Sequence, residues 1–202
     1  MELIGMLDSP YVRRVAITLE LLDIPFVHRP LSVFSTFDAF SRINPVVKAP
    51  TLVCDDGEIL MDSTLIIDHV ESVAGRSLMP IDRQARLRTL RVIGLALAAC
   101  EKTVQIVYEH GLRPSEKMHA PWLQRVQAQL AAAYLELEVE MTRSALSVGP
   151  LLMDQAGITA AVAWHFTQRM RPGEIDPRRH PRLAAHSAAA EQLVAFRAMP
   201  HA

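Results

Sequence analysis

The stretch Glu2-Leu3-Ile4-Gly5-Met6-Leu7-Asp8-Ser9-Pro10-Tyr11-Val12 decides how the first part of this chain folds. Residues 2–6 are short and mainly apolar, the pattern of a buried strand. Ser9 then offers a hydroxyl that caps a helix. Pro10 suits the first helical position, where its missing N–H is no loss. Beyond it Val12, Val15, Ala16, Leu19 and Leu22 recur at helical spacing. Asp23 and Pro25 end that helix, and residues 26–29 read as a second strand. Strand, helix and strand in this order make a βαβ unit, whose strands run parallel through a right-handed crossover.

Outward from this unit the same grammar continues for about 75 residues. Residues 34–43 predict a short helix closed by Asn44-Pro45. Residues 51–54 and 58–61 flank Asp55-Asp56-Gly57, a hairpin signal that implies antiparallel pairing. Asp62-Ser63 caps a further helix carrying Leu65, Ile66, Ile67 and Val70, which ends near Gly75. The expected order is βαβαββα, a small mixed sheet with helices on its faces. Residues 76–84 contain Pro80 and read as a linker. After Arg86 the strand signals vanish, and Leu87, Leu90, Val92, Ile93, Leu95, Leu97 and Val104 predict one long helix. A second helix is expected over 122–141 beyond Gly111 and Pro114, and a third over 160–170, stopped by Pro172-Gly173. Pro181 opens a final alanine-rich helical region, alanine being the best helix former. Two domains are therefore expected, α/β over 1–76 and all-α over 85–202.

Bulk composition narrows the function classes. The chain has 202 residues, half of them hydrophobic, enough for one large core or two small ones. A net charge of -1 leaves no broad basic face to track a nucleic-acid backbone. The run Pro177-Arg178-Arg179-His180-Pro181-Arg182 reads as a solvated loop before a helix. No apolar stretch approaches the roughly 20 residues of a membrane span, and the N-terminus lacks the pattern of a signal peptide. Two cysteines, Cys54 and Cys100, stand far apart without a C-x-x-C spacing, which fits a reducing compartment and a cytoplasmic location. The histidines are scattered, so no metal is expected.

Ser9-Pro10-Tyr11-Val12, at the start of a helix that follows a strand, resembles the active-site layout of the thioredoxin-like glutaredoxins, which carry Cys-Pro-Tyr-Cys there. Both cysteines are absent here, so dithiol exchange at this position is excluded. A serine hydroxyl at a helix N-terminus can instead donate to a ligand's sulfur, where the helix dipole also favours negative charge. Read alone, Ser9 is a helix cap.

Two further motifs change its meaning. Asn44-Pro45-Val46-Val47-Lys48-Ala49-Pro50-Thr51-Leu52 resembles the pattern Asn-Pro-x-Gly-Lys-Val-Pro-x-Leu of the cytosolic glutathione S-transferase superfamily, and Asp62-Ser63 resembles that family's acidic-Ser pair. The resemblance covers nearly the full chain and suits a serine-type, bacterial-like member with a thioredoxin-like first domain. It implies a cis bond before Pro50, main-chain contacts from Ala49 to the cysteinyl part of glutathione, and Lys48 facing its glycyl carboxylate. It also implies that Asp62 and Ser63 hold the γ-glutamyl end and that Ser9 holds the thiolate. Free thiols ionise near ~8.5, so a shift of one or two units makes thiolate plentiful at neutral pH. Val47 stands where the family has glycine, an unusual choice for the loop backbone.

Met153-Asp154-Gln155-Ala156-Gly157-Ile158 resembles the family's N-capping box, with Asp154 as cap, Met153 and Ile158 as a hydrophobic staple, and Gly157 in place of the reciprocal aspartate. On that reading, Gly157→Asp should raise the unfolding midpoint. His180-Pro181-Arg182-Leu183 resembles the opening of the family's last core helix. The second substrate is expected between the two halves, near Leu7, Tyr11, Tyr108 and Trp164, though for Tyr108 and Trp164 core packing reads equally well. The implied activity is conjugation of glutathione, a co-substrate with no further cofactor, to a small electrophile, as in detoxification, by a homodimer. Peroxide reduction, isomerisation and dehalogenation are variants through the same thiolate. A non-catalytic binding module is the alternative that Val47, Ala49 and Gly157 favour. An exchange reaction at Cys54 is the remote one.

Overall fold

The computed structural model describes residues 1–149 and 151–201 and divides into two units, Met1–Leu78 with the stretch from Gln192, and Met79–Glu191. In the first unit the expected order is observed: β1 (Glu2–Ile4), α1 (Pro10–Leu21), β2 (Val27–Arg29), α2 (Phe37–Ser41), β3 (Thr51–Val53), β4 (Ile59–Met61) and α3 (Ser63–Ala74). The sheet order is β2-β1-β3-β4. β1 runs parallel to β2, while β3 is antiparallel to both β1 and β4. The mixed sheet follows from its connections, because a helical crossover permits parallel pairing and the Asp55-Asp56-Gly57 turn forces antiparallel pairing. Leu3, Val15, Leu19, Leu52, Ile66 and Val70, all fully buried, form the core between sheet and helices. Each such side chain contributes about 1.5–3 kcal/mol by leaving water.

Helix α1 departs from the one-faced pattern read off the sequence. Besides Val12, Val15, Ala16 and Leu19, it buries Arg13 at 1 % and Arg14 at 2 % exposure. Arg13 explains why the chain's last part belongs with the first unit rather than with the helical 85–202 domain expected above. Its Nε donates to the Met199 carbonyl at 2.8 Å and its Nη2 to that of Phe196 at 3.4 Å, with the guanidinium 5.7 Å from the Phe196 ring centre. The cation so binds the C-terminal carbonyls of α8 (Val194–Ala198), where a positive charge suits the helix dipole. The single alanine-rich helical region expected after Pro181 is accordingly two helices.

The second unit contains α4 (Arg83–Gly111), α5 (Ala120–Arg143), α6 (Gln155–Met170) and α7 (Pro181–Ala190). Its interior is pinned by a buried polar chain. Tyr134 donates to the Ala163 carbonyl at 2.9 Å and pairs with Thr167, which in turn pairs with Thr103 at 2.7 Å. Burial, and next the nearby Cys100, hold the Tyr134 hydroxyl well above the usual phenol range, so it stays a neutral donor. Side chains cap α4 and α6 from within their own N-termini. Asp82 accepts from Ala85 N–H for α4, and Asp154 accepts from Gly157 N–H at 2.8 Å for α6. For α7 the cap comes from another helix, Glu138 of α5 accepting from the N–H groups of Arg182 and Leu183.

Two local features have measurable consequences. Met153 and Ile158 are both buried beside the α6 cap, as a staple requires. A Cβ on Gly157 would lie 3.4 Å from Met153 and 3.5 Å from Asp154 Oδ1, which is ordinary contact. An aspartate at 157 would set a second carboxylate against that of Asp154, so the gain expected from Gly157→Asp becomes a loss through like-charge repulsion. Alanine is the substitution that gains. Gly157→Ala should stabilise by about 0.5–1 kcal/mol, read as a higher unfolding midpoint, whereas Gly157→Asp should lower it. Val47 has φ 52°, a left-handed backbone that costs a branched side chain roughly 1–2 kcal/mol. Val47→Gly relieves that strain and loses a half-buried side chain. Denaturant unfolding should show it more stable, by up to about 1 kcal/mol.

Candidate functional site

Three segments of the first unit meet at one end of its sheet, and the register shows why. Ile4 pairs with Thr51, and Thr51 pairs with Met61. The chain leaving β1 toward Ser9, the loop entering β3 through Pro50, and the chain leaving β4 toward Asp62 therefore share that end. Gly5, at φ 138°, makes the approach close. A Cβ there would lie 2.6 Å from Val12 and 3.2 Å from the Ala49 side chain, so only glycine fits between α1 and the Pro50 loop.

Ser9 caps α1. Its hydroxyl accepts from Val12 N–H at 3.5 Å, the long limit of a hydrogen bond, and the side chain is half-buried. Asp8 stands beside it, its carboxyl raised above the usual range by burial and partly restored by the Ser9 backbone. The Pro50 loop is built around Asn44, which is 4 % exposed. Asn44 Nδ2 donates to Thr51 Oγ1 at 2.8 Å, its Oδ1 accepts from Val46 N–H, and Thr51 Oγ1 donates to the Lys48 carbonyl at 2.7 Å. The Ala49–Pro50 peptide is cis, as the resemblance implies. Pro50 is buried, Ala49 half-buried and Lys48 exposed. Asp62, at φ 75°, accepts from Thr64 N–H at 2.9 Å and so caps α3, while Ser63 is buried at 4 %.

Arg14 has no place in the sequence reading of the site. Its Nη1 donates to Ser63 Oγ at 3.1 Å and Thr64 Oγ1 at 3.2 Å, tying α1 to the first turn of α3. The one signal for it was that α1 is apolar beyond a single face, with Ile17 and Tyr11 outside the core stripe, so its charges had little solvent to turn to.

The residues assigned to a second substrate are distributed unevenly. Leu7 lies in the first unit's apolar core and Tyr11 is half-buried. In the second unit Tyr108 is 42 % exposed and lines a cavity of about 500 Å³ with Leu112, Pro114, Lys117 and Trp122. Trp164 is 5 % exposed and packs edge-on against Tyr134 at 5.3 Å between ring centres, which is core packing. Cys54 lies 3.6 Å from His69 Nε2. Burial, then Asp56 and Asp55, push its thiol up, away from the thiolate that exchange needs. Among the described residues no group of three or more His, Cys, Asp or Glu side chains is placed to hold a metal ion, and no helix is long and apolar enough to cross a membrane.

Comparison with known proteins matches this architecture. Residues 3–77 match the family described as glutathione S-transferase, N-terminal domain. The chain is 25 % identical over 181 residues, 89 % of each chain, to an uncharacterized GST-like protein, YibF, of Escherichia coli K12. A glutathione transferase family member from Pseudomonas fluorescens Pf-5, with bound S-(propanoic acid)-glutathione, superposes with a TM-score of 0.85 at 28 % identity over 98 % of this chain and 97 % of that one. A glutathione S-transferase from Methylobacterium radiotolerans, in complex with glutathione sulfonate, does so with a TM-score of 0.90 at 26 % identity over 100 % and 95 %. Residues 3–77 thus carry the glutathione S-transferase N-terminal domain, and the thioredoxin-like sheet with its helical remainder has the architecture of the solved glutathione transferases.

Proposed function

We propose that the chain is a glutathione transferase that joins the thiolate of glutathione to a small, apolar electrophile. The observation that carries this reading is Ser9 at the N-terminus of α1, at the sheet end shared by the Pro50 loop and the start of α3. The Ser9 hydroxyl donates to the sulfur and, with the positive end of the helix, lowers the thiol's pKa. It does not serve as a permanent base. Ala49 pairs through its main chain with the cysteinyl unit, and Lys48 faces the glycyl carboxylate. Asp62 takes the α-ammonium, and Ser63 takes the α-carboxylate of the γ-glutamyl end. Support comes from the two solved relatives, whose bound molecules are glutathione derivatives.

The electrophile would meet the sulfur beside Tyr11, which is half-buried at the start of α1. The homodimer belongs to the same proposal. It is favoured by large apolar side chains left exposed, Leu65 and Val73 on α3 and Leu87 and Leu90 on α4. Sedimentation should then give twice the 22.5 kDa chain mass, and Leu65→Glu should shift it toward the monomer.

Ser9→Ala separates chemistry from binding. Losing one hydrogen bond to a charged sulfur should cost about 1.5–3 kcal/mol, a fall in kcat/KM of roughly ten- to a hundredfold with an activated aryl halide. Glutathione binding by calorimetry should survive. The cap contact is long, so the unfolding midpoint should move little. Turnover that Ser9→Ala leaves unchanged would remove the assigned role. Absence of binding by the parent protein at millimolar glutathione would remove the enzyme reading altogether.

A further inference from the structure

Arg14 enters the interior from α1 and meets two hydroxyls on the first turn of α3, Ser63 Oγ at 3.1 Å and Thr64 Oγ1 at 3.2 Å. A guanidinium has donors and no acceptor, so in both contacts the hydroxyl oxygen accepts. Ser63 is buried at 4 %. With its oxygen engaged by Arg14, its own proton is directed away from that contact and must be donated elsewhere. A serine without such a neighbour turns its hydroxyl freely. Here Arg14 occupies one lone pair and fixes the direction in which the proton is offered.

The contact ties α3 to α1 at an electrostatic cost. The N-terminus of a helix carries partial positive charge and disfavours a nearby cation. The turn already has a carboxylate cap, Asp62 on Thr64 N–H. A buried arginine at this end makes chemical sense where an anion is to be received.

We infer that Arg14 is a positioning residue that acts through Ser63, fixing the orientation of its hydroxyl so that the proton is presented to the α-carboxylate at the γ-glutamyl end of glutathione. This rests on the reading of Asp62-Ser63 proposed above.

The test compares two ligands by calorimetry, glutathione and γ-aminobutyryl-cysteinyl-glycine, the same tripeptide without that carboxylate. Arg14→Met should weaken glutathione binding about tenfold, the scale of one charge-assisted hydrogen bond. In turnover the loss should appear in the KM for glutathione and leave kcat nearly unchanged. Binding of the carboxylate-free analogue should change by less than about twofold. Most of the effect should vanish when Arg14→Met is made in a Ser63→Ala background. Should Arg14→Met not fold, Arg14→Lys replaces it. Lysine keeps a donor without the planar fork and should lose about threefold, again for glutathione only. An equal loss for both ligands, or a loss undiminished in Ser63→Ala, would overturn the role of Arg14 and leave the glutathione reading standing. A parent protein that binds neither ligand would overturn both.

Discussion

Helix α1 is buried along nearly its whole length, and two guanidinium groups are buried with it. A buried cation is costly unless its donors are satisfied, so each arginine has to be met by acceptors from another part of the chain. Arg13 finds them in the carbonyls of Phe196 and Met199, which fastens the C-terminal helix to the first unit. Arg14 finds them in the hydroxyls of Ser63 and Thr64, which fastens the start of α3. The apolar side of the same helix, Val12, Val15 and Leu19, packs against the sheet. Sheet, last helix and α3 thus take their places from one element.

The site draws on that arrangement. Ser9 begins α1, so whatever anchors the helix also anchors the hydroxyl. Gly5 lets Ala49 approach α1 more closely than any side chain would allow, and the Asn44–Thr51 pair keeps the intervening loop in shape. Val47 holds a left-handed backbone within that loop, strain of the kind that persists where surrounding contacts over-determine the conformation. Here the hydrogen bonds of Asn44 to Val46 and Val47 do so. The helical unit is organised by the same device of buried polar groups answered across helices: Tyr134 on α6, and Glu138 on the start of α7.

What could be read before the structure was local. The caps at Ser9, Asp62 and Asp154 were legible because capping depends on a few consecutive residues, and each accepts a backbone N–H as expected. The hairpin at Asp55-Asp56-Gly57 was legible for the same reason. For Gly157 the expectation that changes is the one for aspartate. The motif names Asp154 as the cap but not how near position 157 stands to its carboxylate, and a Cβ there lies 3.5 Å from Oδ1. Trp164 was readable either as a pocket wall or as core. Its ring meets Tyr134 and His180, partners 30 and 16 residues away, which no local pattern reveals.

By itself the sequence determined the order of elements, the mixed pairing of the sheet and the three segments that carry the family's motifs. These follow from periodicity, turn chemistry and short spacing, all properties of neighbouring residues. The tertiary structure alone decided that Arg13 and Arg14 face inward, that the last helix joins the first unit, and that Ser63 is held by a guanidinium. Each of these rests on a contact between residues about 50 or more positions apart. Their energy depends on burial, and burial is a property of the assembled fold.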